Sequence, residues 1–408
     1  MTDAGFRCRS CDEANLDLVL SLGRTPLANA LLTQKQLSEP EATFPLDLVF
    51  CPRCSLVQIT ETVPPKQLFS HYLYLTSFSD TMLRHSEDLV AQLVKSRRLD
   101  GNSRVIEVAS NDGYLLQYYK KAGVPVLGIE PAANIAKVAE DRGIPTLPRF
   151  FDLALARELR DHDTRADVMH ANNVLAHVAD LNGFVAGLAQ VLKENGVAVI
   201  EVPHVMPMVE RLEFDTVYHE HLCYFSLSAL QTLFERHRLA IVDVEEISLH
   251  GGSLQVHVAH SGRPSDRVTS LLERERASGV DRLDFYLEFG AKVMRLKDDL
   301  RTMLEDLKAS GSKIAAYGAS AKGSTLLNYC NIGRETLEFV ADRSTVKQGF
   351  YTPGMHLPIK APEALMAELP NHVLLLTWNF AAEILKQQAA YRDQGGRFII
   401  PVPEPAIV

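Results

Sequence analysis

Four places in this 408-residue chain combine residue types and spacings that can do chemistry. Two Cys-x2-Cys knuckles come first, Cys8 with Cys11 and Cys51 with Cys54, and 39 residues separate the pairs. Zinc favours four thiolates in a tetrahedron, and each knuckle sets two sulfurs on one side of it. Protein fills all four positions, which leaves no place for an activated water and predicts a structural ion. Redox-active or packing cysteines are the other reading, and the matched spacing of the two pairs weighs against it. Cys223 and Cys330 stand alone in apolar surroundings and read as buried packing.

The second place is Glu107-Val108-Ala109-Ser110-Asn111-Asp112-Gly113, with Glu130 further on. A dinucleotide loop would read G-x-G-x-x-G after the first strand, and a single glycine makes a poor pyrophosphate cradle. An acidic strand end followed by a small-residue turn suits a cofactor with an ammonium and a ribose. Glu130, closing the second strand, is placed to accept both ribose hydroxyls. Acidic residues merely solvated at strand ends would look the same.

The third place, Tyr218-His219-Glu220-His221 with Tyr224 close behind, is the densest cluster of titratable side chains. It lacks the i, i+4 histidine pair of a zinc protease, so acid–base chemistry is the better reading. A histidine near neutral pH can remove a proton next to a carbonyl while a carboxylate fixes its tautomer. His219 competes with His221 for that role. On an extended loop the two histidines would share a face with Glu220 pointing away. A solvated surface cluster is the bland alternative. The fourth place is the turn Gly318-Ala319-Ser320-Ala321-Lys322-Gly323. At a helix N-terminus it could hold a phosphate, with Lys322 and Lys347 adding charge; solvated lysines are the alternative there.

The elements that must position these residues fall into three regions. Residues 1–70 are proline-rich with short alternating runs, Leu46–Phe50 and Leu56–Thr60, and read as a small β-rich module. An apolar stripe from about 75 to 96 predicts a linking helix. Over 71–262 strands at 104–109, 124–130, 166–170 and 196–202 alternate with helical runs, which implies a parallel sheet with helices on both faces. Two more strands flank the turn His250-Gly251-Gly252, and one long charged helix is expected over 264–309. Residues 263–408 then supply strands at 313–317, 338–341, 372–377 and 397–401, a second doubly wound α/β unit.

Composition narrows the class. Hydrophobic residues are 46% and charged residues 23% of the chain, a globular profile. No apolar run reaches the ~18 residues of a membrane span, and the polar start lacks a signal peptide's apolar stretch, so a cytoplasmic location is expected. A net charge of −9 argues against a nucleic-acid surface. Oligomeric state is not set by the sequence; a monomer is one reading.

Taken in order, the paired knuckles, "EVASNDGYLL", "EVPH", "YHEHLCYFS", "HGGSLQVHV", "YGASAKGSTLLNYC", "KQGFYTPGMHLPI" and "TWNF" resemble the sugar C-methyltransferases of deoxysugar biosynthesis along nearly the whole chain. The resemblance implies a zinc domain, a central Rossmann-like S-adenosylmethionine domain and a C-terminal Rossmann-like domain. It further implies methylation of carbon 3 of a dTDP-4-keto-deoxyhexose through an enolate. Carried over by motif, His221 would be the base and Glu220 would orient it. Tyr218 and Tyr224 would lie against the sugar, His177 near its ring, and Tyr72 would reach in from the linker. The cofactor set would comprise Glu107, Ala109, Asn111, Gly113, Glu130, Pro131, Asn172 and Asn173, and the substrate set Ser320, Lys322, Lys347 and His250. Two departures stand out: Gln255 where many relatives have arginine, and "LYLTSF" in the linker where a proline and two serines are expected. Both bear on which nucleotide sugar is used; a different nucleotide sugar or a related keto substrate is the alternative. A nicotinamide-dependent sugar enzyme and a non-catalytic zinc scaffold are the rival classes. The first lacks the glycine spacing, and the second gives Glu107, Glu130 and the histidine cluster no purpose.

Overall fold

The computed structural model describes residues 5–64, 68 and 75–408. Tyr72 lies outside the described residues, and the side chain of His250 is likewise not described.

Among the described residues, three sheets organise the fold. The first is antiparallel, in the order β1 (Asp17–Thr25), β2 (Phe44–Phe50), β3 (Val57–Ile59) and β9 (Cys223–Tyr224). Its last strand belongs to the reaction-site segment rather than to the N-terminal module: Val57 pairs with Tyr224 and Gln58 with Cys223. The module and the segment with the candidate base therefore share one hydrogen-bonded surface.

The second sheet runs β10 (Ala240–Ile247), β11 (Ser253–Ala259), β8 (Leu192–Pro203), β7 (Ala166–Asn172), β4 (Val105–Val108), β5 (Val126–Ile129) and β6 (Thr146–Leu147). It is parallel from β8 to β6, while β10 and β11 are antiparallel, so the sheet is mixed rather than wholly parallel. A hairpin explains the difference: the short turn at 248–252 can join only antiparallel neighbours. Val105, Val168 and Val199 of one face pack beneath Met82, Leu89, Val90 and Leu93 of the Asp80–Arg97 helix, so the linking helix covers the sheet.

The third sheet has the order β14 (Ile359–Lys360), β13 (Val340–Ala341), β12 (Ile314–Tyr317), β15 (His372–Leu375), β16 (Arg397–Ile400) and β17 (Ala406–Ile407). The chain winds one way from β12 and the other way from β15, which puts the topological switch point between them. Between the second and third sheets, the single helix expected over 264–309 is two, Asp266–Ser278 and Leu283–Ala309. Gly279, at φ +85°, caps the first in the left-handed conformation and ends it. Among the described residues, no helix is long and apolar enough to cross a membrane.

Candidate active site

The zinc knuckles are built alike. In each, the amide of the first cysteine donates to the carbonyl five residues on (Cys8 to Glu13 at 2.8 Å, Cys51 to Leu56 at 3.0 Å). The residue one past the second cysteine, Asp12 or Ser55, is left-handed, at φ 62° and 57°. All four cysteine sulfurs lie within 4.8 Å of one another and all four residues are buried. Cross-pairs Cys8–Cys54 and Cys11–Cys51 stand 3.5 and 3.4 Å apart, close to the edge of about 3.8 Å that a tetrahedron with 2.3 Å zinc–sulfur bonds would have. Hydrogen bonds from Cys51 and Cys54 hold the Cys8 thiol low, and those to Cys51 and Cys8 drive Cys54 up. Four thiolates need a cation to coexist there, so the donor set fits zinc. Gln58 donates to the Cys8 sulfur at 3.2 Å, supporting it from outside the shell. Cys223 and Cys330 are buried packing residues, 1% and 0% exposed.

At the carboxyl edge of the second sheet, Ala109, Asn111 and Gly113 have φ of +53°, +48° and +77°. These alternate positions are where a glycine-rich loop would place its glycines. Here alanine and asparagine adopt the left-handed conformation, which costs roughly 1–2 kcal/mol at a non-glycine residue. Only Gly113 is held to glycine by crowding as well, since a Cβ there would stand 2.9 Å from Ile144 Cγ1. The strained loop turns the Asn111 amide onto Glu130 Oε2 at 3.0 Å, while the Ala132 amide reaches Oε1 at 2.8 Å. Burial raises Glu130, opposed by these two amides. Pro131 is partly buried beside it.

Along the same edge, Glu107 is in register with His170, Asn172 with Glu201, and Glu201 with Gln255, so these side chains share one sheet face. Glu107 is 1% exposed and burial drives its carboxyl well up, against a hydrogen bond from Tyr114 and with Glu130, Asp112 and Glu201 adding repulsion. Glu107 Oε2, Asn172 Oδ1 and Glu201 Oε2 are buried acceptors without a protein donor. Four acids and a row of orphaned acceptors suit a ligand with positive charge and N–H donors. S-adenosylmethionine, with its sulfonium and ammonium, meets that demand, whereas a dinucleotide's pyrophosphate would be repelled. Asn173, left-handed at φ 56°, donates its amide to the Glu201 carbonyl at 2.7 Å and so helps shape this edge.

Sequence reasoning missed His85, which bonds Glu201 Oε1 at 2.6 Å alongside Gln255 at 2.7 Å. Glu201 raises the His85 pKa, with burial opposing. The apolar stripe of the linking helix was the signal that His85 would face the sheet. Asn111 Oδ1 also takes the Thr76 amide at 3.0 Å, which brings the linker onto the cofactor loop.

Tyr218–His221 is a turn rather than an extended strand: the His221 amide donates to the Tyr218 carbonyl at 2.9 Å. The two histidines consequently part company. His219 is 1% exposed, bonds the Pro45 carbonyl at 3.0 Å and lies edge-on to Phe44 in the N-terminal module. His221 Nδ1 meets the Thr216 carbonyl at 3.0 Å, and its Nε2 meets the Tyr218 hydroxyl at 3.0 Å. A carbonyl accepts only from a protonated nitrogen, so the neutral ring carries its proton on Nδ1 and offers the Nε2 lone pair. His177 lies 5.0 Å away between ring centroids, its Nδ1 held by the Glu220 carbonyl at 2.6 Å, and burial lowers its pKa.

Two expected roles need correction. Glu220 does not orient His221: its carboxylate accepts from Asn29 of the N-terminal module at 2.6 Å, and the orienting acceptor is the Thr216 carbonyl. Tyr224 is 5% exposed, and its hydroxyl donates to that same carbonyl at 3.3 Å, which makes it a support of the turn and not a wall of a sugar pocket.

In the C-terminal turn the expected phosphate-holding groups have partners within the protein. Ser320 caps its helix by accepting from the Gly323 amide at 3.0 Å, and the Ala319 amide donates to Asp342 at 2.7 Å. Lys347 donates to the Ala319 carbonyl at 2.8 Å, and Lys322 to Glu213 at 3.2 Å. Both cations and the leading amide are thus turned onto the protein's own acceptors, so a phosphate would have to displace carboxylates.

Comparison with known proteins identifies the family. A "Putative zinc binding domain" family model matches residues 8–69, a "Methyltransferase domain" model 81–244, and a "C-methyltransferase C-terminal domain" model 248–403. The C-methyltransferase NovU of Streptomyces niveus is 36% identical over 98% of this chain and 96% of its own length. A ubiquinone biosynthesis O-methyltransferase of Rhodopseudomonas palustris is 30% identical over 24% of this chain and 38% of that protein. Aligned along almost its full length with a C-methyltransferase, and carrying both an acidic edge fit for a sulfonium cofactor and a four-cysteine zinc site, the chain belongs to the C-methyltransferase family and is an S-adenosylmethionine-dependent enzyme.

Proposed function

We propose that the enzyme methylates carbon 3 of a dTDP-4-keto-deoxyhexose, with His221 as the base and a cytoplasmic location in which the zinc thiolates stay reduced. The observation that carries the reading is the hydrogen bonding of His221. Its Nδ1 is committed to the Thr216 carbonyl, and its Nε2 lone pair points to Tyr218. A ring held in this tautomer is set to accept a proton next to a ketone.

In this scheme the carbon 3 proton passes to His221 Nε2, and the electron pair of the broken C–H bond moves into an enolate at the 4-keto oxygen. Tyr218, displaced from Nε2, donates its hydroxyl to that oxygen, and His177 lies beside the ring plane. S-adenosylmethionine, when bound, would supply the methyl group that carbon 3 takes up, its sulfonium leaving as a neutral thioether. The cofactor's ribose is assigned to Glu130, its ammonium to the edge formed by Glu107, Asn172 and the Ala109–Gly113 loop, and zinc to Cys8, Cys11, Cys51 and Cys54. The turn at His250 is assigned to the nucleotide side of the substrate, where the exposed Arg211 donates to the Gly251 carbonyl at 2.6 Å.

Incubation of the purified protein with S-adenosylmethionine and a panel of nucleotide-linked 4-keto sugars tests this reading. A product heavier by one methylene and carrying a C-methyl signal at carbon 3 is expected. Methylation of oxygen, or turnover only with a substrate that is not a sugar nucleotide, would replace it.

A further inference from the structure

Doubly wound folds bind nucleotides outside the carboxyl ends of the strands that flank the switch point, and in the third sheet that position lies beyond β12 and β15. Lys322 lies just after β12, and Trp378 just after β15, the two strands that flank that point. Between them sits a carboxylate from the methyltransferase domain. Asp215, 0% exposed, takes the Trp378 indole N–H at 2.7 Å and lies 3.9 Å from the Lys322 ammonium. Lys322 packs over the Trp378 ring at 4.8 Å and also pairs with Glu213. From the same side, the Thr325 hydroxyl donates to the Val217 carbonyl at 3.2 Å.

The residue between those two anchor points is Thr216, whose carbonyl holds both His221 Nδ1 and the Tyr224 hydroxyl. A buried carboxylate at this strand-end position, one residue ahead of the carbonyl that orients the base, joins the two domains. We propose that this strand-end position of the C-terminal sheet is a socket for the chain's own Asp215, and that Asp215, Trp378 and Lys322 are positioning residues that hold the Thr216 carbonyl against His221. This rests on the reading of His221 as the base.

Trp378 supplies a directional N–H, Lys322 a charge, and Thr325 a hydroxyl on the next peptide unit, and all three come from the C-terminal domain. An indole that only packed would not need its N–H aimed at a buried carboxylate. Burial raises Asp215 to about 6, against the pull of Lys322 and Trp378, so those two partners keep an otherwise disfavoured anion in place. A misplacement of about 1 Å in a catalytic group can cost about 10²-fold in rate, and loss of either anchor frees the turn by that order.

The test uses the full-length zinc-loaded protein bound to S-adenosylhomocysteine, with histidine ring nitrogens labelled for NMR. The His221 signals are those missing in His221→Asn. Wild type should show His221 in the Nδ1-protonated tautomer. Trp378→Phe and Asp215→Leu should lose that single tautomer while binding S-adenosylhomocysteine within twofold of wild type. With S-adenosylmethionine and a dTDP-4-keto-6-deoxyhexose, kcat should fall at least tenfold in both with KM for the cofactor unchanged. An unaltered His221 tautomer together with normal kcat in Trp378→Phe overturns the proposal, and that variant alone decides if Asp215→Leu does not fold. Failure of the base reading looks different: His221→Asn would then turn over normally, whatever the NMR of the other variants shows.

Discussion

The two doubly wound sheets of this chain end differently at the edge where such folds bind ligands. On the central sheet, Glu107 Oε2, Asn172 Oδ1 and Glu201 Oε2 are buried acceptors without protein donors, beside a strained left-handed loop. On the C-terminal sheet, most of the edge groups named above are met from within: Ala319 by Asp342, Lys347 by the Ala319 carbonyl, Lys322 by Glu213 and Trp378 by Asp215, whose other carboxylate oxygen is left 3.9 Å from the Lys322 ammonium. A shared architecture therefore says little about which unit binds a ligand. The row of unmet acceptors beside a left-handed loop marks the central sheet's edge as the one fit for the cofactor.

The largest effect is expected at the turn that the two neighbouring units clamp. Loss of a positioned general base typically costs about 10²–10⁴ in rate, so His221→Asn should lose that much turnover and keep its affinity for S-adenosylhomocysteine, measured by calorimetry. Equal losses in both quantities would mean that the ring supports the cofactor edge instead. Next comes the zinc module. Cys51→Ser, or removal of the metal by a strong chelator, should release zinc and loosen β2 and β3. Because Asn29 and Pro45 hold Glu220 and His219, activity should fall with the metal while cofactor affinity survives. Metal analysis that finds no zinc in protein purified without chelator would remove this claim.

The two edges can then be set against each other directly. Glu130→Ala loses charge-assisted bonds worth roughly 1.5–3 kcal/mol each, so affinity for S-adenosylhomocysteine should drop at least tenfold. Lys347→Met, on the other edge, should leave that affinity within a factor of two. A reversal of the two results would exchange the roles of the sheets.

The smallest effect concerns pH. His85 has a raised pKa in the folded protein because of Glu201. Its stabilisation is therefore fully present below the unfolded value of about 6.5 and lost as pH rises through the folded value. His85→Gln should cost about 1 kcal/mol at pH 6 and less at pH 9, read as the difference in Tm from wild type. A cost independent of pH would show that packing, not charge, is what His85 supplies.

Much of this was legible in the residues. The knuckle spacing located the four cysteines that converge, and apolar runs located β4, β7 and β8 within a few residues. The cofactor loop was half legible: one glycine argued against a pyrophosphate cradle, but nothing in Ala109 or Asn111 announces a left-handed backbone. The short β9 was hidden because two residues carry no periodicity, and its pairing with Val57 and Gln58 is a matter of tertiary docking. The lysines misled for a related reason. Lys322 and Lys347 look like free cations until the fold brings Glu213, Asp215 and the Ala319 carbonyl to them. Glu220 misled through adjacency, since a turn sends its carboxylate to Asn29 and leaves a backbone carbonyl to orient His221.

The proposed proton removal by His221 is the central step, and it can be watched without methyl transfer. The enzyme, saturated with S-adenosylhomocysteine, is placed in deuterated water with a dTDP-4-keto-6-deoxyhexose, and the carbon 3 proton signal is followed by NMR. Wild type and His219→Asn should wash out that proton at similar rates, while His221→Asn should slow exchange by about 10²-fold or more. Wild-type exchange in His221→Asn, with loss of exchange in His219→Asn, would contradict the account and move the base to the other histidine.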